Sequence, residues 1–302
     1  MGNENDVMDI RRALDTSNST TGNVLVPLVI SDGVRMYIET RSPLWNIINK
    51  FDFDGYAFVY REQTGLPVAS FGAELGALPA AQNAAYVQRT VPIKSVYVRG
   101  ELSGQIIEAS RSLVNVLQRE ITNSSIGLVR TLEQKIIAGD ATANPNEFDG
   151  LDKWITNTVE MNPGTPGTPV SLTLAMVDQL IDAPQGGNPT HLIMSKAMGR
   201  RIWSLLQAQQ RFNDVADING GFQVPVYGGL PIIRLFDNTT ILANEILAPN
   251  MDMVSMPILK NVTYEELAHT RDSTDYFLKM YLTLVVEGGA RYHAKAIDVK
   301  SS

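Results

Sequence analysis

Residues 140–151 read DATANPNEFDGL, which crowds Asp140, Thr142, Asn144, Asn146, Glu147 and Asp149 into one stretch. Such a run of oxygen-bearing side chains serves a calcium loop, a carboxylate cluster for hydrolysis, or a turn between two elements. An EF-hand loop needs oxygen ligands at its early odd positions, a glycine at its sixth and a bidentate carboxylate at its last. Counted from Asp140, the sixth position is Pro145 and the last is Leu151. The turn is therefore the expected reading, with Asp149-Gly150 bending the chain and Phe148 and Leu151 plugging a joint between two domains.

Other chemistry-bearing residues are equally scattered. His191, His269 and His293 lie far apart, none has a second histidine one helical turn away, and no HExxH occurs. Histidines so placed are expected to be hydrogen-bonded core or edge residues. The chain has no cysteine, which excludes disulfides, thiolate metal sites and cysteine nucleophiles. GxSxG, GxxxxGK[ST] and GxGxxG are absent as well. The acidic pairs Asp52/Asp54 and Glu265/Glu266 read as solvated faces, and Trp45, Trp154 and Trp203 as packing residues. No enzymatic activity, cofactor or metal is expected.

Composition points the same way. The 302 residues are 44% hydrophobic and only 19% charged, with a formal net charge of −7. Lys and Arg form no stripe of the kind that grips nucleic-acid phosphates. No apolar run approaches the roughly 20 residues that span a bilayer, and MGNENDVMDIRRALDTSNSTTGN is too polar for a secretory signal. A chain this poor in charge is suited to hiding its surface against copies of itself.

The elements that would position these residues follow from periodicity. Residues 1–30 read as an extended arm. Pro43 opens a short helix, PLWNIINKF. In 54–98, YAFVYRE, LPVASFG and RTVPIKSVYV alternate like strands around GAELGALPAAQNAA, a long ribbon with too few large apolar residues for its own core. It is expected to lie on a neighbouring subunit.

Residues 103–138 form the strongest helix, with Ile106, Leu113, Leu117, Ile121, Leu128, Leu132 and Ile136 on one stripe and Gly139 as a left-handed cap. Its centre, TNSSIG, is a run of weak helix formers, so a bend is expected at Asn123, Ser124 and Gly127. Helices 171–182 and 195–209 then alternate with strands HLIMS, VPVY, PIIRL and DMVSMPI, an α/β subdomain. A polar loop, QQRFNDVADINGGFQ, carries Phe212, Gly220 and Gly221. KNVTYEELA, DYFLKMYLTLVVEG and ARYHAKAIDVK close the chain as strands.

SFGAELGALPAA, IKSVYVRGELSGQIIEASRSLVNVLQ, AGDATANPNEFDGL, HLIMS and EGGARYHAKAIDV, in this order, resemble segments of tailed-bacteriophage major capsid proteins of the Hong Kong 97-type fold. The resemblance implies an α+β fold. Its peripheral domain would comprise 31–53, 96–150 and 260–302, with a spine helix at about 103–138; 54–95 would be the extended loop and 151–259 an axial domain. It implies a subunit contact through Phe71, Glu74, Gly76 and Pro79 of the extended loop, and an axial loop at Phe212, Gly220 and Gly221. The partners it implies are other copies, as hexamers and pentamers of an icosahedral shell around double-stranded DNA, with scaffold, portal and decoration proteins as further candidates. It places the chain in a virion assembled in host cytoplasm, with no membrane.

Some relatives weld subunits through a lysine near the extended loop. Residues 51–93 contain no lysine, so no such cross-link is expected. Two other readings stand beside this one: an encapsulin-type cargo shell, and a metal-binding hydrolase using the acidic 140–149 segment.

Overall fold

The computed structural model describes residues 43–71, 80–110, 116–208, 215–218, 222–235, 242–267 and 272–301. The first described element is helix α1 (Pro43–Ile47), followed by β1 (Asn49–Asp52), β2 (Ala57–Gly65), β3 (Ala85–Pro92) and β4 (Lys94–Ser103). Helices α2 (Gly104–Ser110), α3 (Val116–Ala138) and α4 (Leu151–Trp154) follow. Next come β5 (Thr158–Glu160), β6 (Val170–Ser171), α5 (Leu174–Asp182), β7 (Leu192–Met194) and α6 (Lys196–Ala208). The remaining strands are β8 (Val215–Ile218), β9 (Phe222–Tyr227), β10 (Leu230–Arg234), β11 (Ile246–Ala248), β12 (Val254–Glu266), β13 (Ser273–Leu282), β14 (Val285–Val286), β15 (Ala294–Ile297) and β16 (Val299–Lys300).

A five-stranded sheet runs β1-β12-β13-β4, with β14 paired to β12. Alternation decides its faces. In β13, Tyr276, Leu278, Met280 and Leu282 are fully buried while their neighbours are half-exposed, the two-residue period of a one-sided sheet. The long helix α3 packs on the buried face through Ile121, Ser125, Leu128, Val129, Leu132, Ile136 and Ile137. That spacing is an amphipathic stripe, and each fully buried Leu or Ile contributes roughly 1.5–3 kcal/mol.

The seven-stranded sheet, β5-β15-β11-β7-β10-β9-β8, is buried on both sides at its centre. Ile193, Ile233 and Leu247 face the core under α3. Leu192, Met194, Ile232, Ile246 and Ala248 face a second core with Val177 and Leu180 of α5 and Met198, Ile202 and Leu206 of α6. The sheet is thus a shared wall, which is why Leu192–Met194, the strand within HLIMS, is apolar throughout rather than alternating.

Several expectations are corrected. The first helix ends at Ile47, not Phe51, because Asn49–Asp52 pairs parallel with Ser255–Ile258 of β12. The expected strand LPVASFG is not strand over its described residues 66–71. Within the expected helix over 103–138, which is helical at Gly104–Ser110 and Val116–Ala138 with 111–115 outside the described residues, Ile106 is 52% exposed rather than part of the buried stripe. Part of the expected 209–223 loop is strand β8, which forms a hairpin with β9.

The domain expectation also shifts. β15 lies in the seven-stranded sheet, although 260–302 was expected to stay with the long helix. Residues 254–259 begin β12 and so join the five-stranded sheet, because one strand of 13 residues runs unbroken across the boundary expected at 259.

The corrected stripe gives a paired test. Leu128→Ala should cost about 2–5 kcal/mol in chemical denaturation. Ile106→Ala should stay within about 0.5 kcal/mol, as an exposed position does.

Candidate functional site

The oxygen-rich run after α3 spends its side chains on its own backbone. Asp140 Oδ1 accepts from the Thr142 amide at 2.8 Å, and Asp149 Oδ1 accepts from the Ala141 amide at 2.8 Å. Asn144 Oδ1 accepts from the Asn146 amide at 3.2 Å, and Asn144 Nδ2 donates to Glu147 Oε1 at 2.9 Å. Lysines take the remaining charge: Lys135 lies 2.6 Å from Glu147 and Lys153 lies 3.2 Å from Asp140. The Thr142 amide, then Lys153, holds the Asp140 carboxyl below the usual range, and Lys135 does so for Glu147. These are anions committed to a turn. Among the described residues no group of three or more His, Asp or Glu is arranged to hold a metal ion.

What closes the turn is a backbone contact. The Gly150 amide donates to Gly139 O at 2.8 Å. A Cβ on Gly139 would lie 2.3 Å from Phe148 O, and one on Gly150 would lie 2.5 Å from Ile137 O. Gly139 is not among the positive-φ residues, so the expected left-handed cap is replaced by a requirement for close approach. Phe148 and Leu151 beside it are buried in the core under α3. Lys295 of β15 donates to both O and Oδ1 of Asp152, at 2.9 and 2.7 Å, tying α4 to the seven-stranded sheet. Burial, then the nearby Asp152, raises the pKa of Glu245.

The ribbon is the second feature. β2 and β3 pair antiparallel from Ala57↔Pro92 to Gly65↔Ala85. Tyr60 OH donates to Val286 O at 3.3 Å near the ribbon's base, and burial pushes this phenol up to about 12. Lys94 donates to Pro145 O, joining the base to the closing turn. Tyr56 and Val59 near the base, and Leu66, Val68, Phe71, Tyr86 and Val87 further out, are all exposed. Phe71 is wholly exposed. Glu74, Gly76 and Pro79 lie outside the described residues, as do Phe212, Gly220 and Gly221.

The third feature is the centre of α3. Asn123 Nδ2 donates to Glu120 Oε2 at 2.9 Å, Ser124 Oγ lies 2.9 Å from Tyr276 OH, and Gly127 has open space where a Cβ would stand. The helix is continuous through all three. Sequence reasoning did not single out Tyr276 or its strand partner Gly100; a lone glycine inside the strand YVRGEL is the signal that points to them.

Of the histidines, His293 is internal, His191 is half-buried, and His269 lies outside the described residues. His293 is fully buried, with Nδ1 accepting from the Asn250 amide at 3.0 Å and Nε2 3.0 Å from Glu287 O. His191 Nδ1 lies 2.9 Å from Thr190 Oγ1. Burial lowers the pKa of both.

A family model described as the SU10 major capsid protein matches residues 102–300. The chain belongs to the SU10 major capsid protein family. It is a subunit of a capsid shell, and its place is the virion capsid. Solved structures share the fold of this capsid protein. The cyanophage A-1(L) capsid asymmetric unit is 13% identical with a TM-score of 0.68, over 85% of this chain and 92% of that one. A Mycobacterium phage Bobi chain is 16% identical with a TM-score of 0.61, over 85% and 90%. The holo-SrpI encapsulin complex from Synechococcus elongatus is 11% identical with a TM-score of 0.62, over 87% and 90%. No individually curated protein matches this sequence.

Two tests address the closing turn of this capsid protein. Gly150→Ala should cost about 1–3 kcal/mol in chemical denaturation, because the backbone it meets cannot yield like a side chain. Glu245 has a folded pKa above its unfolded value, so its stabilising difference is complete at acid pH and is lost as pH rises through the folded pKa. Glu245→Gln should flatten that decline in melting temperature against pH.

Proposed function

We propose that this capsid protein is built on the Hong Kong 97-type plan, with the five-stranded sheet and α3 as its peripheral part and the seven-stranded sheet as its axial part. Copies form hexamers and pentamers of an icosahedral shell that encloses packaged double-stranded DNA. The family match over 102–300 carries this reading. A net charge of −7 suits a wall that holds DNA without gripping it. Scaffold, portal and decoration proteins are its further partners, and host cytoplasm is where it assembles.

In this reading the extended loop, with Phe71, Glu74, Gly76 and Pro79, is covered by a neighbouring copy. Phe148, Gly150 and Leu151 form the joint between the peripheral and axial parts, Phe212, Gly220 and Gly221 lie in the axial loop, and α3 bends at Asn123, Ser124 and Gly127 between assembly states. The encapsulin likeness supports a second reading, a shell around protein cargo. Electron microscopy of the expressed chain with its neighbouring genes tests both. DNA-filled or empty phage-like shells are expected. Shells that purify with an enzyme inside would favour the second reading, and a monomer under all conditions would exclude both.

The lysine pattern adds a sharper expectation. Lys94 stands at the ribbon's base and bonds to Pro145 O. Assembled shells should therefore run as a single subunit band on denaturing electrophoresis, whereas a covalent ladder would show a cross-link.

A further inference from the structure

The stretch Thr122–Gly127 is the weakest part of α3 by composition, and its hydroxyls treat the helix in two ways. Thr122 Oγ1 donates back to Gln118 O at 2.9 Å, and Ser125 Oγ donates back to Ile121 O at 2.7 Å. Such back-bonding weakens and bends helices. Ser124 instead meets the sheet, its Oγ 2.9 Å from Tyr276 OH.

Tyr276 is held for that contact. It is fully buried and stacks on Tyr264 with ring centroids 5.8 Å apart. Tyr264 is itself tied by its hydroxyl to Glu266 Oε1 at 2.8 Å. In β4 the residue in register with Tyr276 is Gly100, and a Cβ there would lie 2.4 Å from the Tyr276 ring. The glycine makes the space in which the ring lies, and the ring delivers a buried hydroxyl to the helix. A buried hydroxyl that loses its partner is costly.

We propose that Tyr276, seated over Gly100, is a conformational latch: its hydroxyl bond to Ser124 fixes the soft centre of α3 against the sheet, and bending of the helix requires that bond to open. The latch holds the helix in the conformation seen here, and other states of α3 are reached by releasing one identified contact. This deepens the reading of Asn123–Gly127 as a bend and rests on it.

Hydrogen exchange of the full-length, unassembled chain tests the latch. Tyr276→Phe keeps the ring and removes only the hydroxyl; Ser124→Ala removes the other half. Each should make amides of residues 121–131 exchange about fivefold faster, the loss of one hydrogen bond. The double variant should be no faster than either single, and amides of β4 and β13 should be unchanged. Unchanged exchange in the helix would overturn the proposal, and so would an equal acceleration of sheet and helix, which would mark general destabilisation. The bend is judged separately, from helix shape among copies in assembled shells. A straight helix in every copy and every assembly state would remove the bend, while fast exchange in the variants would still support the latch.

Discussion

The fold turns on one backbone contact, the hydrogen bond from the Gly150 amide to Gly139 O. Two chain segments pass so closely there that neither position has room for a Cβ. This contact sets where the long helix stops and where α4 starts, and it seats Phe148 and Leu151 in the core. The acidic side chains around it look like ligands in sequence, but each is spent on an amide or a lysine. From α4 the chain enters the seven-stranded sheet, and Lys295 returns from β15 to bond Asp152. The closing turn therefore lies on the path from the long helix to the seven-stranded sheet.

The central strands of the seven-stranded sheet are a partition with apolar residues on both faces. The helix-and-sheet core and the second core share it, so displacement of one is felt by the other through close packing. The ribbon has no comparable support. Beyond its base, its large apolar side chains stand in solvent, and a two-stranded ribbon is marginal alone. For a capsid shell subunit this is coherent with the proposal above: the cores fix the shape of the monomer, and the exposed ribbon is the surface we propose other copies cover.

Much of this was legible in the sequence, for reasons that differ by element. The stripe Ile121–Leu128–Leu132–Ile136 and the alternation of DYFLKMYL announce a helix and a one-sided strand because local period reports burial directly. HLIMS reads as a buried strand from the unbroken apolar run Leu192–Met194. The end of the first helix was not legible: Asn49–Asp52 becomes a strand through pairing with Ser255–Ile258, a contact between segments some two hundred residues apart. Ile106 fits the helical stripe by spacing, yet it sits at the exposed start of the helical region. Gly139 suggested a left-handed cap because glycine often plays that part; its real constraint is a neighbour, Phe148 O, that only the tertiary fold brings near. The pairing of Gly100 with Tyr276 was hidden for the same reason.

The central claim is that this subunit is incomplete alone and that its ribbon finds its cover on another copy. A cryo-electron microscopy reconstruction of the assembled shell, at a resolution that traces side chains, tests it most directly. The account expects Tyr56, Val59, Leu66, Val68, Phe71, Tyr86 and Val87 to be buried against a neighbouring subunit in every copy. A shell in which the ribbon projects into solvent, with no neighbour on those residues, would contradict it.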